Sequence, residues 1–163
     1  MSFYGDHILP HVINGAMRKQ ELWPYRERAI PRAEGCVLEI GIGSGLNLPL
    51  YTSNAQEIVG LEPSRRLVSM AERVADNTGR SVRIITGSAE SIPLESRTVD
   101  TVVTTWTLCS IADVSRALAE MRRVLKPGGQ LLFVEHGLAP EESVRKWQNR
   151  LTPVWKRIGG GVT

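Results

Sequence analysis

The stretch Val37-Leu38-Glu39-Ile40-Gly41-Ile42-Gly43-Ser44-Gly45-Leu46-Asn47 decides the fold of this 163-residue chain. It begins as a short apolar run, which is typical of a strand buried on both faces of a sheet. It continues as a glycine-rich turn, in which residues without a Cβ let backbone N–H groups approach a ligand. A strand that leads into such a turn predicts a ligand site at the carboxyl end of a parallel sheet.

Outward from this stretch, short apolar strands alternate with amphipathic helices. The pattern predicts strands at 36–40, 57–61, 82–86, 99–105 and 130–135, and helices at 6–19, 24–30, 64–77, 113–125 and 141–158. This order predicts an α/β, Rossmann-like fold, in which a mostly parallel, doubly wound sheet carries helices on both faces. We expect residues 1–34 to form N-terminal helices on the lid and substrate side, and residues 35–163 to form the ligand-binding core.

The composition is that of one ordinary globular domain with a single core. The longest apolar runs, such as 131–134, are far too short to span a membrane. The first residues lack the features of a signal peptide, so a cytoplasmic location is expected. The net charge of +3 comes from basic residues spread along the chain. We interpret them as solvated helix faces, and a basic patch for anionic lipid (peripheral membrane contact) or nucleic acid is the alternative.

Neither the cysteines nor the histidines have a spacing that indicates a metal site. Cys36 and Cys109 lie in apolar segments and are expected to be reduced, buried thiols. His7 and His11 share one face of the first predicted helix, but no third ligand accompanies them. We therefore predict no metal.

Two carboxylates lie at the predicted carboxyl edge of the sheet. Glu39 precedes the first glycine of the turn and could hold the ammonium group of an amino-acid ligand. Glu62 directly follows the second strand and lies roughly 20 residues after Gly41. That spacing suits a carboxylate that accepts hydrogen bonds from both ribose hydroxyls of an adenosine. A nicotinamide dinucleotide fits these features as well as S-adenosylmethionine (SAM) does. However, the dinucleotide fingerprint has a third glycine where this chain has Leu46.

Four segments, taken in order, resemble the class I SAM-dependent methyltransferases of the UbiE-like, type 11 kind. They are Val37 to Gly45, Gly87-Ser88-Ala89-Glu90, Val99-Asp100-Thr101-Val102-Val103, and Arg123-Val124-Leu125-Lys126-Pro127-Gly128-Gly129. The resemblance covers about residues 35–137. The chain also resembles a narrower group, the methyltransferase-like proteins that contain alkyl thiol methyltransferases and bacterial phospholipid methyltransferase relatives. This resemblance is carried by residues 3–4, 41–49, 107–110, 135–136 and 153–159.

The resemblance implies SAM as the cofactor and S-adenosylhomocysteine (SAH) as the product. It places the methionine part of SAM at Glu39, Gly41, Gly43, Ser44, Gly45 and Thr105, and it includes Asn47 among the cofactor-binding residues. It places the ribose at Glu62, with Pro63 and Ser64 alongside the adenine, and the adenine edge at Ser88, Ala89 and Glu90. Many relatives have aspartate where Ser88 stands, so weaker or water-mediated adenine recognition is expected.

The expected acceptor is a small-molecule or lipid-like nucleophile, with a thiol, amine or hydroxyl group. His136 is the candidate catalytic base, and Tyr4, Trp106 and Cys109 are candidate lid or substrate residues. The alternative is a SAM-binding protein with little or no turnover. Nucleic acid is not expected as a substrate, because an Asn-Pro-Pro-Tyr-type motif does not follow the fourth strand.

The family's domain normally continues with two more strands after the last predicted helix, whereas this sequence stops at Thr163. We expect the sheet to lack those two strands and to leave its fifth strand at an open edge. Open edges tend to pair with other chains, so a homodimer is predicted.

Overall fold

The computed structural model describes residues 14–135. Five parallel strands form one sheet in the order β3-β2-β1-β4-β5. The strands are β1 (Gly35–Ile40), β2 (Ala55–Glu62), β3 (Val82–Thr86), β4 (Val99–Thr105) and β5 (Leu125–Val134). The order reverses between β1 and β4, and parallel sheets bind ligands at such a reversal. The predicted α/β fold is confirmed.

The helices that lie wholly within residues 14–135 are α1 (Trp23–Ala29), α2 (Arg65–Asp76) and α3 (Val114–Val124). The predicted caps of α2 and α3 are present. Ser64 Oγ accepts a hydrogen bond from the Leu67 N–H at 3.5 Å, and Asp113 Oδ1 accepts one from the Arg116 N–H at 3.0 Å. Short 3-10 turns occupy Gln20–Leu22, Ile30–Arg32, Leu48–Leu50 and Leu108–Ser110.

The sheet has a hydrophobic core on each face. On one face, Met121 of α3 packs into a cluster with Leu38 and Val102. On the other, Ala71 of α2 lies in a cluster with Val37 and with Ile30, which follows α1. Alternate residues of β1 therefore serve opposite cores, as expected for a central strand covered on both sides.

The start of β5 differs from the prediction, which placed it at Gln130. Leu125 already pairs with Val99, and the ladder resumes with Gln130 opposite Thr101 after a bulge. A Cβ on Gly129 would lie 2.9 Å from the Asp100 carbonyl oxygen, so glycine lets this bulge lie against β4. The predicted turn at 126–129 is thus an irregularity within the strand.

Some predictions lie wholly or partly outside the described residues. Only residues 14–19 of the first predicted helix, 6–19, lie within the described range. Residues 14–17 are helical, but the helix ends in a turn at Arg18 and does not continue to residue 19. The described range also excludes the helix predicted at 141–158 and the residues Tyr4, His7, His11 and His136. Within residues 14–135, every helix is too short or too polar to cross a membrane.

Candidate active site

A cavity of about 520 Å³ opens at the carboxyl ends of β1 to β4. The order of the strands arranges its wall. Thr105 and Trp106 follow β4, Gly41 to Ser44 follow β1, Glu62 ends β2, and Ser88 follows β3. The wall therefore passes from Trp106 at one end to Ser88 at the other, as an elongated ligand would require.

Most of the sequence-predicted site residues lie on this wall. They are Gly41, Gly43, Ser44, Glu62, Pro63, Ser64, Ser88, Ala89, Glu90, Thr105 and Trp106. Residues from four separate loops are brought together because parallel strands end at the same edge of the sheet. Glu39, Gly45, Asn47 and Cys109 do not line the cavity. The ligand contacts predicted for these four residues stay predictions.

Two glycines of the turn are required by close packing. Gly41 has a φ of +66°, and a Cβ on it would lie 2.4 Å from Thr107 Cγ2. Gly45 has a φ of +80°, and a Cβ there would lie 3.1 Å from the Cα of Ala71 on α2. Gly41 thus lets the turn lie against the loop after β4, and Gly45 lets α2 approach from behind.

Glu62 ties the glycine turn to the start of α2. Its Oε2 accepts a hydrogen bond from the Gly43 N–H at 3.1 Å, and its Oε1 accepts one from the Ser64 N–H at 2.9 Å. Burial raises the pKa of this carboxyl, and the two backbone hydrogen bonds partly oppose that rise. A carboxylate has about four lone-pair sites, so roughly two remain for ligand hydroxyls.

Glu39 is 1% exposed and lies beneath the turn. Its carboxylate accepts hydrogen bonds from Asn47 Nδ2 and from the Tyr51 hydroxyl, both at 2.7 Å. Burial raises its pKa to about 7, while these two hydrogen bonds and the charge of Arg26 act in the opposite direction. Glu39 therefore orients other side chains and does not itself contact the cavity.

Arg26, on α1, is the main site residue that the sequence analysis missed. The residue is 3% exposed, and its guanidinium lies 4.7 Å from the centre of the Trp106 ring. Nη1 donates to Asn47 Oδ1 and, at 3.5 Å, to Thr105 Oγ1. Burial lowers the pKa of Arg26, and Glu39 opposes this effect. A buried charge of this kind requires partners, and Asn47 links it to Glu39.

A weak signal for Arg26 was present in the sequence. It lies three residues after Trp23 and four before Ile30, so it falls on the same face of α1 as these apolar residues. Asn14 and Met17 were also missed, and both line the cavity. Ser44 Oγ donates to Asn14 Oδ1 at 2.6 Å, which joins the N-terminal segment to the glycine turn.

The loop after β4 is held in an unusual conformation. Trp106 has a φ of +51°, and its N–H donates to the Val134 carbonyl at 2.7 Å. Glu135 Oε1 accepts hydrogen bonds from Thr104 Oγ1, the Thr107 N–H and the Leu108 N–H, at 3.0 to 3.2 Å. Left-handed backbone at a non-glycine residue persists only where neighbouring contacts enforce it. These contacts hold the Trp106 ring at the cavity.

Cys109 lies behind this loop. Its thiol donates to the Trp106 carbonyl at 3.7 Å, and burial raises its pKa. The next residues, Ser110 and Ile111, line the cavity in its place. A short 3-10 turn occupies Leu108–Ser110, so Ser110 lines the cavity whereas Leu108 and Cys109 do not.

The family model described as "Methyltransferase domain" matches residues 38–133. The chain belongs to this family. The matched range contains β1 to β4 and almost all of β5, and it includes the glycine turn, Glu62, Ser88 and Trp106.

Individual relatives share this part of the methyltransferase domain. The chain is 35% identical to thiol S-methyltransferase TMT1B of Rattus norvegicus, over 78% of its own length and 54% of the relative's. It is 29% identical to phosphatidylethanolamine N-methyltransferase of Cereibacter sphaeroides, over 72% of its own length and 62% of the relative's. The crystal structure of YcgJ from Bacillus subtilis superposes with a TM-score of 0.69 at 30% identity, covering 82% of this chain and 57% of that one. The chain thus spans about half the length of such relatives.

SAM is the cofactor of this family, and the cavity of the methyltransferase domain fits it. Arg26 Nε is a buried donor without a partner among the described residues, and it suits the carboxylate of methionine. The free lone pairs of Glu62 suit the ribose, and the apolar walls beside Ser88 suit an adenine ring. In residues 14–135, His, Cys, Asp and Glu form no group of three that could hold a metal.

Proposed function

We propose that the chain transfers the methyl group of SAM to a small apolar nucleophile, with a thiol as the favoured acceptor. The observation that carries this proposal is the Trp106 ring, which lines one end of the cavity. The rings of Tyr25 and Trp106 meet edge to face at 6.5 Å, and Arg26 lies over Trp106.

An aromatic wall attracts apolar groups, and it attracts cations through the electron-rich faces of the rings. Here Arg26 already lies over the Trp106 ring, so that face of the ring is not free for a second cation such as an ammonium group. A thiol reacts as the thiolate, and its ordinary pKa is about 8.5. The site therefore favours a nucleophile that is neutral or anionic. The thiol S-methyltransferase relative is consistent with this acceptor.

SAM, when bound, supplies a methyl group that is already activated by a positively charged sulfonium. The chain then has mainly to align the acceptor and to exclude water. We assign the methionine carboxylate to Arg26, the ribose to Glu62 and the adenine to the Ser88 end. Residues 1–34 are proposed as the lid, because Asn14, Met17 and Arg26 line the cavity. His136, outside the described residues, stays a prediction as base.

The test is an acceptor panel of equal carbon length, such as hexanethiol, hexylamine and hexanol, with SAM and with SAH as the readout. We expect the thiol to be methylated at least tenfold faster than the amine. Vesicles of phosphatidylethanolamine form a further arm. Faster turnover of the amine or of the lipid would overturn the thiol assignment. Tight SAM binding without any SAH would favour a SAM-binding protein that lacks turnover.

The cofactor assignment has its own test, in which calorimetry compares SAH with NAD. We expect SAH to bind and NAD to bind much more weakly, because Leu46 stands where dinucleotide sites have a third glycine. Tight binding of NAD without binding of SAH would overturn the assignment of the cofactor.

A further inference from the structure

We infer that Glu135 is a positioning residue for methyl transfer, because its carboxylate fixes the loop that holds Trp106 at one end of the cavity. Glu135 itself does not line the cavity and directly follows β5. The inference rests on the proposed function, in which the Trp106 ring borders the acceptor. It goes further by naming the side chain that sets where this ring lies.

The loop after β4 forms the Trp106 end of the cavity. Thr105, Trp106, Thr107 and Ser110 all line the cavity. The loop already lies tightly against the glycine turn, since a Cβ on Gly41 would come within 2.4 Å of Thr107 Cγ2. A displacement of the loop would therefore move the wall that a bound acceptor would touch.

One oxygen of Glu135 holds this loop from the side of β5. Oε1 accepts hydrogen bonds from the backbone N–H groups of Thr107 and Leu108, at 3.0 and 3.2 Å. The same oxygen accepts a hydrogen bond from Thr104 Oγ1 at 3.0 Å. Thr104 is fully buried, so its hydroxyl fixes the carboxylate from within the sheet. Glu135 thus joins the end of β5 both to β4 and to the two residues that follow Trp106.

The conformation of Trp106 and the position of Glu135 depend on each other. Trp106 is left-handed, with a φ of +51°, and Thr107 is right-handed, with a φ of −110°. Successive residues of opposite hand point their backbone N–H groups at one place, and such a concavity suits an anion. Glu135 supplies this anion. Without it, the left-handed backbone at Trp106 would lose contacts that enforce it, and the ring would move.

A displaced Trp106 ring should impair the reaction more than it impairs cofactor binding. Methyl transfer requires the acceptor atom to be aligned with the methyl carbon, and a small misplacement lowers the rate strongly. The proposed cofactor contacts of Glu62 and Ser88 belong to β2 and to the segment after β3, so they remain in place. The expected signature is therefore a loss of kcat/KM for the acceptor that exceeds the loss of SAH affinity.

Two variants separate the position of the Glu135 oxygen from its charge. Glu135→Gln keeps an acceptor oxygen at the same reach without the charge, whereas Glu135→Asp keeps the charge on a side chain that is one methylene shorter. With hexanethiol and SAM, Glu135→Gln should keep kcat/KM within about threefold of the parent value. Glu135→Asp should lower kcat/KM by about tenfold or more and raise the KM for the thiol.

The affinity for SAH, measured by calorimetry, should change by a smaller factor than kcat/KM in Glu135→Asp. The matched control is Glu72→Asp, at an exposed glutamate on α2. It should match the parent in both measurements.

A spectroscopic measurement follows Trp106 without any turnover. Trp106 is half-buried, and acrylamide quenches the fluorescence of tryptophan according to its exposure. The Trp106→Phe variant of each protein serves as the blank, so that the difference reports Trp106. This signal should be quenched more readily in Glu135→Asp than in the parent or in Glu135→Gln.

Different outcomes overturn different claims. If Glu135→Asp keeps the full kcat/KM, or if Glu135→Gln loses as much as Glu135→Asp does, Glu135 does not act through the position of its oxygen. Equal losses of kcat/KM and SAH affinity, or unchanged quenching of Trp106, would also overturn the inference. If the parent binds SAH but methylates no acceptor, the proposed function fails. The quenching measurement would then still decide whether Glu135 positions Trp106.

Discussion

The guanidinium of Arg26 lies 4.7 Å from the centre of the Trp106 ring, although one residue belongs to α1 and the other follows β4. The contact joins an N-terminal helix to the loop at the reversal point of the sheet. Through Asn47 it also reaches Glu39, so the buried cation and the buried carboxyl belong to one network. This network lies at the Trp106 end of the cavity, where we propose that the methionine part of SAM binds, and it motivates the first prediction.

Replacing Arg26 by lysine should weaken SAH binding by about tenfold or more. Lysine keeps the charge but loses the planar fork that reaches Asn47 and Thr105 while stacking on Trp106. Calorimetry measures the affinity, and thermal unfolding reports whether the fold is kept. Arg28→Lys, on the exposed side of α1, is the matched control and should bind as the parent does. Equal affinity in Arg26→Lys and the control would remove Arg26 from the site.

Replacing Glu62 by alanine should reduce SAM affinity by about tenfold to a few hundredfold. Two charge-assisted hydrogen bonds to the ribose are lost, each about 1.5–3 kcal/mol before water compensates. The Gly43 N–H also loses its acceptor, which loosens the turn. Glu72→Ala, an exposed glutamate on α2, serves as the control. A Glu62→Ala variant that binds SAM like the parent would show that the ribose lies elsewhere.

Glu39 should make the stability of the protein depend on pH. In the native state, Glu39 keeps its proton up to a pKa of about 7, whereas the pKa of a free glutamate side chain is 4.5. Between these values the unfolded chain binds fewer protons than the native state, so the free energy of unfolding falls as pH rises. The fall is about 3 kcal/mol for this shift.

Glu39→Gln should abolish that part of the pH dependence, because glutamine does not titrate. Chemical denaturation of parent and variant from pH 4.5 to pH 7.5 tests this expectation. Glu57→Gln, at an exposed position on β2, should keep the parent profile. Parallel profiles for the parent and Glu39→Gln would mean that Glu39 remains ionised throughout the range.

We predict that the chain forms a homodimer through the edge of β5. In residues 14–135, β5 pairs with β4 alone, and Phe133 and Leu131 on it are 64% and 37% exposed. Unpaired backbone groups next to exposed apolar side chains favour association. Light scattering at micromolar concentration should give twice the 18.0 kDa chain mass. Phe133→Lys should shift the equilibrium toward monomer, whereas a monomeric parent would refute the dimer.

The alternation of strands and helices was predictable from the sequence because it depends on local patterns. Apolar runs such as 99–105 have the length and composition of buried strands, and Asp113 has the chemistry of a helix cap. The glycine turn and Glu62 were predictable for a similar reason. Their positions directly after strands place them at one edge of the sheet, whatever the details of packing.

The network around Arg26 depended on the tertiary structure, because its members come from α1, β1 and the loops after β1 and β4. No local pattern shows that the Glu39 carboxylate turns away from the cavity toward Asn47 and Tyr51. That orientation follows from burial, since a carboxylate without water must find donors, and these two side chains supply them. The sequence alone thus determined the fold and the edge at which the site lies. The packing of the helices on the sheet decided which polar groups face the cavity and which support it from behind.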